Sequence, residues 1–271
     1  MNTQRIKSIF IKFFGGKIMA YVQALRFIYL LKTDRNPDPE IKFIHLFLNK
    51  GDIAVDIGAN GADWTYHLHQ CVGREGRVYA FEANPYYAMA TDITIKLMRL
   101  KGVRFFPFGL SDKDECVVLR VTDSKGNRLS GQGYVDKNAD INEKGIEVIN
   151  LKRLDSLSPN YPEILNTALI KCDVEGFEIF VFKGANKIIE NSRPIIILEV
   201  GNYEKHGYSS RDIFNFFVKM EYSPYAMVEG YSLLATNDLL EHDYTLSSNR
   251  ILIPKEKINT IRNLIDISPY S

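Results

Sequence analysis

Asp56 and Glu82 are the two side chains whose placement speaks first of chemistry. Asp56 sits in the apolar run Ile53-Ala-Val-Asp-Ile57, and Glu82 closes the run Val78-Tyr-Ala-Phe-Glu82, 26 residues later. Small or turn-forming residues follow each: Gly58, Ala59, Asn60, Gly61 and Ala62 after the first, Ala83, Asn84 and Pro85 after the second. A carboxylate at the carboxyl end of a buried strand can accept hydrogen bonds from both hydroxyls of a ribose. Small residues beside it let the backbone approach a ligand closely. A nucleoside-binding crevice needs these features at the ends of two neighbouring parallel strands.

Two nucleoside ligands compete for this pattern. A dinucleotide site carries G-x-G-x-x-G after its first strand. Here those positions read Gly58, Asn60 and Asp63, so two of three glycines are missing. Asp63 would also bring a negative charge towards a pyrophosphate. S-adenosyl-L-methionine has no phosphate and carries an ammonium group with which Asp56 could pair. It is therefore the expected cofactor, held by Asp56, Gly58, Ala59, Asn60, Gly61 and Glu82. Trp64 opens the next helix and either contacts the methionine end or packs in the core.

The elements that must position these residues alternate along the chain. Strands are expected at 53–57, 77–82, 103–108, 168–172, 194–200, 222–228, 231–235 and 249–253. Helices are expected at 86–100, 177–191 and 210–220, with one starting at Trp64 and a last one over 255–266. The predicted fold is α/β: a doubly wound, mostly parallel, seven-stranded Rossmann-like sheet with a terminal antiparallel strand. Strand-like stretches at 115–122 and 146–151 flank the polar segment 123–145, which reads as a β-hairpin excursion or lid. Arg128, Ser130 and Tyr134 are its candidate acceptor contacts.

Residues 1–39 form an N-terminal extension and 40–271 the main domain. Over 4–32, apolar residues recur at helical spacing, with a bend or division expected at Gly15-Gly16. Residues 1–35 carry seven basic side chains and one acidic one, a net +6. Such a helix either lies on an anionic membrane or caps the domain.

Composition narrows the classes. With 45% hydrophobic and 25% charged residues the chain can bury a full core, and its net charge of +1 gives no general argument for nucleic acid. Cys71, Cys116 and Cys172 are odd in number and widely spaced, as expected of reduced thiols in an intracellular protein. Lys12 and Lys17 interrupt any apolar leader and no bilayer-spanning run occurs, so a cytoplasmic location is expected.

The chain resembles the FkbM-type methyltransferases, a class I S-adenosylmethionine-dependent group acting mostly on hydroxyls of sugars and natural products. The matching blocks are Val55–Asn60, Ala80–Pro85, Gly109-Leu-Ser-Asp112, Leu154-Asp-Ser-Leu157, Ile170–Glu178 and Phe182-Lys-Gly-Ala185, within residues 53–200. Ala62 stands where the family usually has glycine, and Ala83 where it usually has proline. The resemblance implies an O-methyltransferase with a small-molecule or glycan acceptor. It also adds Ala83, Asn84, Gly109, Leu110, Ser111 and Asp173 to the cofactor contacts. Same-fold alternatives are methylation of nitrogen or a carboxylate, or cofactor binding without turnover.

Methyl transfer to oxygen requires an in-line approach and a destination for the hydroxyl proton. Asp173 and Glu199 end two strands that should open onto the cofactor crevice. With Asn202 they would form a hard oxygen set suited to magnesium, similar to the Asp…Asp-Asn arrangement of catechol-type methyltransferases. Without metal, Asp173 is a base or orienting acceptor and Glu199 a substrate contact. Glu175 either contacts substrate or caps a helix, and Glu178 serves the helix dipole. His206 is a further candidate base, whereas His67 and His69 read as surface or packing residues.

Overall fold

The computed structural model describes residues 3–33, 38–122, 133–136, 138–140, 142–201, 203–228, 232–236, 247–262 and 266–268, with side chains of the first helix from residue 16 onward. That helix, α1 (Thr3–Lys32), leads through a short 3-10 turn and α2 (Ile44–Phe47) into β1 (Ile53–Ile57). Then come α3 (Asp63–Val72), β2 (Arg77–Phe81), α4 (Pro85–Leu97), β3 (Val103–Phe106) and β4 (Gly109–Leu110). β5 (Glu115–Arg120), β6 (Tyr134–Val135) and β7 (Ile146–Lys152) form the excursion, followed by β8 (Thr167–Cys172), α5 (Glu178–Lys183) and α6 (Asn186–Ser192). The chain ends with β9 (Ile195–Glu199), α7 (Ser210–Lys219), β10 (Tyr222–Val228), β11 (Ser232–Ala235), β12 (Asn249–Pro254), α8 (Ile258–Arg262) and β13 (Ile267–Ser268).

The protein is a mixed α/β fold around a large sheet. Nine strands lie in the order β13-β11-β10-β12-β9-β8-β1-β2-β3, where the sequence predicts seven. β9, β8, β1, β2 and β3 run parallel, while β12 is antiparallel to both β9 and β10. The antiparallel strand is late in the chain but interior in the sheet. β10 and β11 form a hairpin, and β12 returns along the other edge of β10. The expected last helix opens as a 3-10 turn at Lys255–Lys257 and continues as α8, and β13 beyond it pairs with β11, Leu233 opposite Ile267.

Both faces of the sheet are covered, which is why its central strands read as continuous apolar runs. Val55, Ile57, Ile170, Cys172, Ile196 and Leu198 pack with α5, α6 and α7. Ala54, Val78, Leu169, Ile197 and Ile251 pack with α2, α3 and α8.

Two helices depart from expectation. α1 runs without a break through Gly15-Gly16, since glycine lowers helix propensity but keeps its backbone donor. The helix expected at 177–191 divides into α5 and α6 at Gly184 and Ala185. Asp155 causes the division: its carboxylate accepts from Lys187 N at 3.0 Å and Ile188 N at 3.2 Å, satisfying the first turn of α6.

The excursion is more than a hairpin. β5, β6 and β7 join β4 in a second sheet, ordered β4-β7-β5-β6. Arg120 fastens its outer end, 2.8 Å from Asp136 and 2.8 Å from Glu143.

Candidate active site

A cavity of about 280 Å³ opens where β1, β2 and β8 end, between the main sheet and the small one. The turn after β1 forms its floor. Gly58 N and Ala59 N both donate to Phe81 O, at 3.0 and 2.9 Å, which folds the turn back over β2. Gly58 has φ +85, and a Cβ there would lie 1.8 Å from the Asp173 carbonyl oxygen, so only glycine fits between β1 and β8. Asn60 and Ala62 follow at φ 42 and φ 65, in the left-handed region. Ala62 thus holds a conformation that glycine would adopt at less cost.

Glu82 is the anchor of this turn. Its Oε2 accepts from Asn60 N at 2.8 Å and its Oε1 from Asn84 N at 2.7 Å. One carboxylate therefore ties the β1 turn to the start of α4, and each oxygen keeps a second lone pair for a ligand in the cavity. Burial pushes its pKa up to about 7, against the two backbone donors, which favour the charged form.

The opposite wall is built by the Asp173–Gly176 loop. Asp173 N donates to Ile57 O at 3.0 Å, locking the end of β8 to the end of β1. Glu175 sits at φ 56 and Gly176 at φ 93, a tight turn that presents Glu175 to the cavity. Glu178, wholly buried, holds that turn from behind: its Oε1 accepts from Val174 N and Gly176 N, each at 3.1 Å. Burial raises its pKa to about 7. Tyr208 completes the clamp, donating to Gly176 O at 2.6 Å.

Glu199, at the end of β9, also lines the cavity. It is hydrogen-bonded to Asp173, and burial, this bond and the charge of Asp173 hold its carboxyl far above the usual carboxylate range. Ser248 Oγ donates to its Oε1 at 3.1 Å. The two strand-end acids expected to open onto one crevice do meet there, as a hydrogen-bonded pair.

Most expected cofactor contacts line the cavity: Gly58, Asn60, Glu82, Ala83 and Asn84 on one side, Gly109, Leu110 and Asp173 on others. Five do not. Asp56 is buried, accepts a hydrogen bond from Thr65 Oγ1 and is not among the cavity-lining residues. Ala59 is turned into the core, and Gly61 lies under the ring of Phe27 from α1. Trp64 packs in the core and donates from Nε1 to Asp38 Oδ2 at 2.7 Å. Ser111 is buried, with its N bonded to Lys152 O at 2.9 Å.

His206 is not among the cavity-lining residues; it meets Phe177 edge-on at 5.3 Å between ring centroids. His69 bonds Lys101 O at 2.6 Å and His67 lies 3.6 Å from Asp63, both away from the cavity. Tyr134 is half-buried beside the cavity wall, with the Lys205 ammonium 4.5 Å from its ring. Arg128, Ser130 and Asn202 lie outside the described residues. Among the described residues no group of three or more His, Cys, Asp or Glu is placed to hold a metal ion.

Two features escaped the sequence reading. Leu119, Val135, Ile149 and Leu151 of the small sheet form an apolar wall. The second is a buried polar network beneath the acids: Lys171 donates to Asn249 Oδ1 at 2.7 Å, and Asn249 Nδ2 donates to Glu40 Oε2 at 3.1 Å. Lys171 is also the register partner of Asp56. A lysine inside the apolar run Ala168–Cys172 was the signal available in the sequence.

Residues 56–224, more than half of the chain, match the family described as methyltransferase FkbM domain. The chain belongs to this FkbM family. No functionally curated protein matches it in sequence. Among solved structures it is similar to a methyltransferase FkbM from Methylobacillus flagellatus KT, at 11% identity and a TM-score of 0.48, covering 90% of this chain and 60% of that one. This chain thus spans about 60% of that relative's length. A SAM-dependent methyltransferase from Aquifex aeolicus matches at 14% identity and TM-score 0.41, covering 74% of this chain and 92% of that one. A third, from Geobacter sulfurreducens in complex with S-adenosyl-L-homocysteine, matches at 11% and 0.34, covering 73% and 70%. None of these likenesses bears on the acceptor.

Proposed function

We propose that this FkbM-family protein transfers the methyl group of S-adenosyl-L-methionine to a hydroxyl oxygen of a small polar acceptor, a sugar, glycan or natural product. The observation that carries the reading is the acidic lining of the cavity. Glu82, Asp173, Glu175 and Glu199 line it, and no Lys or Arg does among the described residues. Such a lining suits a cationic sulfonium ligand and repels the phosphates of a dinucleotide.

The chain's residues fit that cofactor. Glu82, with a free lone pair on each oxygen, would take the ribose hydroxyls, and Gly58 and Asn60 leave backbone open beside it. Gly109 and Leu110 would flank the adenine end. When bound, the cofactor supplies an electrophilic methyl carbon. Everything else falls on the protein: orienting the acceptor oxygen, excluding water and receiving its proton.

Asp173 is the proposed receiver. The hydrogen bond between Glu199, its carboxyl pKa pushed up to about 8 chiefly by burial, and Asp173 would fix the direction of the Asp173 carboxylate and leave its other oxygen for the acceptor hydroxyl. The small sheet's apolar wall keeps bulk water from this corner. The excursion 123–145, with Tyr134 at its base, is the proposed acceptor lid. A rival within the same site has magnesium bound by Asp173, Glu199 and Asn202 in place of the Asp173–Glu199 hydrogen bond.

Incubating the protein with S-adenosyl-L-methionine and a panel of sugars and polyketide alcohols, read by mass spectrometry, tests the reading. A gain of one methyl on oxygen supports it. Methylation of an amine or carboxylate alone, or cofactor binding with no product from any acceptor, rejects the hydroxyl assignment.

A further inference from the structure

The outer face of α1 is apolar and uncovered by any described part of the chain. Among the described residues, six of the ten large hydrophobic side chains most open to solvent belong to this one helix: Ile18, Tyr21, Val22, Leu25, Tyr29 and Leu30. Leu25 is 59% exposed and Tyr29 58%. At about 100° per residue, Ile18, Tyr21, Val22, Leu25 and Tyr29 fall within an arc of roughly 100°. The opposite arc holds Ala20, Ala24, Phe27 and Leu31, all buried; Ala20 and Phe27 pack on Ala90 of α4. One apolar face fastens the helix to the domain, and the second has no partner among the described residues.

Charge says what the second face is for. The sequence of α1, Thr3–Lys32, contains no Asp or Glu. Lys17 and Arg26 are exposed and lie on either side of the apolar arc, and Lys32 extends from its carboxyl end. Residues 1–35 sum to +6 while the whole chain carries only +1, so the remainder is slightly negative. A second copy packed on this face would bring like charges together along its whole length, which is unfavourable. An anionic bilayer complements both the apolar arc and its basic borders.

We propose that α1 lies in the plane of an anionic phospholipid surface, with Ile18, Tyr21, Val22, Leu25 and Tyr29 inserted and Lys17, Arg26 and Lys32 at the headgroups. At 30 residues the helix is about 45 Å long. No helix among the described residues is long and apolar enough to cross a membrane, so the contact is peripheral. Phe27, on the inner face, packs against Gly61 of the cofactor turn, so docking would hold that turn close to the surface. The proposal stands apart from methyl transfer and is tested without it.

The test is co-sedimentation of the full chain with vesicles of phosphatidylcholine alone and with roughly one-third phosphatidylglycerol, at low and high salt. Binding should need the anionic lipid and weaken with salt. Val22→Glu with Leu25→Glu, and separately Lys17→Glu with Arg26→Glu, should each reduce it at least about tenfold. Both pairs should keep the wild-type Tm and affinity for S-adenosylhomocysteine, because their side chains face outward. If the first pair fails to fold, the second decides the matter. No sedimentation with anionic vesicles, or sedimentation that the charge reversals leave unchanged, overturns the proposal. A concentration-dependent dimer lost in Val22→Glu/Leu25→Glu, without vesicle binding, overturns it in favour of an interface between copies.

Discussion

Replacing Glu82 separates the cofactor reading from a purely structural one. In the wild type, each Glu82 oxygen holds one backbone N–H, from Asn60 and from Asn84, and would receive one ribose hydroxyl. Losing hydrogen bonds to a charged group costs about 1.5–3 kcal/mol in binding, roughly a tenfold to 150-fold weaker Kd. Glu82→Ala also strands two amides, so its Tm should fall as well, and calorimetry must be run where the variant is folded. The wild type supplies a control that changes no residue. With the carboxyl near pKa 7, and if only the ionised form binds, Kd should be about tenfold weaker at pH 6 than at pH 8. The assay is isothermal titration with S-adenosylhomocysteine across that range. An affinity flat with pH, together with unchanged affinity in folded Glu82→Ala, would refute the ribose assignment.

The remaining predictions concern the acids and the scaffold. Asp173→Asn should lower kcat on the order of 10²–10⁴-fold while changing cofactor affinity much less, measured by steady-state kinetics and calorimetry; a near-normal kcat removes Asp173 from the chemistry. Chelator should leave wild-type turnover intact if the metal-free Asp173–Glu199 pair is right, and abolish it, with recovery on adding magnesium, if the metal rival is. Glu178→Gln keeps the acceptor for Val174 and Gly176 but cannot titrate. A raised folded pKa stabilises below the unfolded value of 4.5 and loses that benefit as pH rises through about 7. The variant should therefore gain on the wild type by about 3 kcal/mol between pH 4.5 and 8 in denaturant titrations, and parallel curves would contradict this. Gly58→Ala, at φ +85 with its Cβ 1.8 Å from Asp173 O, should cost at least about 2 kcal/mol of stability, and an unchanged Tm would show that the β1–β8 junction can relax.

The central alternation and most of the residues that line the crevice were legible in the sequence because they rest on local signals. Apolar runs ending in Asp56, Glu82, Asp173 and Glu199 mark strands, and Gly58, Asn60 and Gly176 mark turns that few residues can make. Parallel strands joined by helices leave little freedom in their order, so the meeting of Asp173 with Glu199 followed from their places at strand ends. What a side chain does once it arrives is a different matter. Asp56 and Glu82 look alike in sequence, yet Asp56 spends itself on Thr65 beside Lys171, while Glu82 faces the cavity. The difference lies in which neighbours close over each: for Asp56 these are Thr65, nine residues on in α3, and Lys171 of β8, far along the chain. The same holds for the apolar wall of Leu119, Val135, Ile149 and Leu151, which exists only because the excursion folds back as a sheet over the crevice. It holds too for α1, whose periodicity fixed a helix but whose two apolar faces became distinguishable only when α4 covered one of them. Local backbone preference and hydrophobic period are written into neighbouring residues. Burial, and with it charge state and contact, is set by residues distant in sequence, and only the tertiary structure decides it.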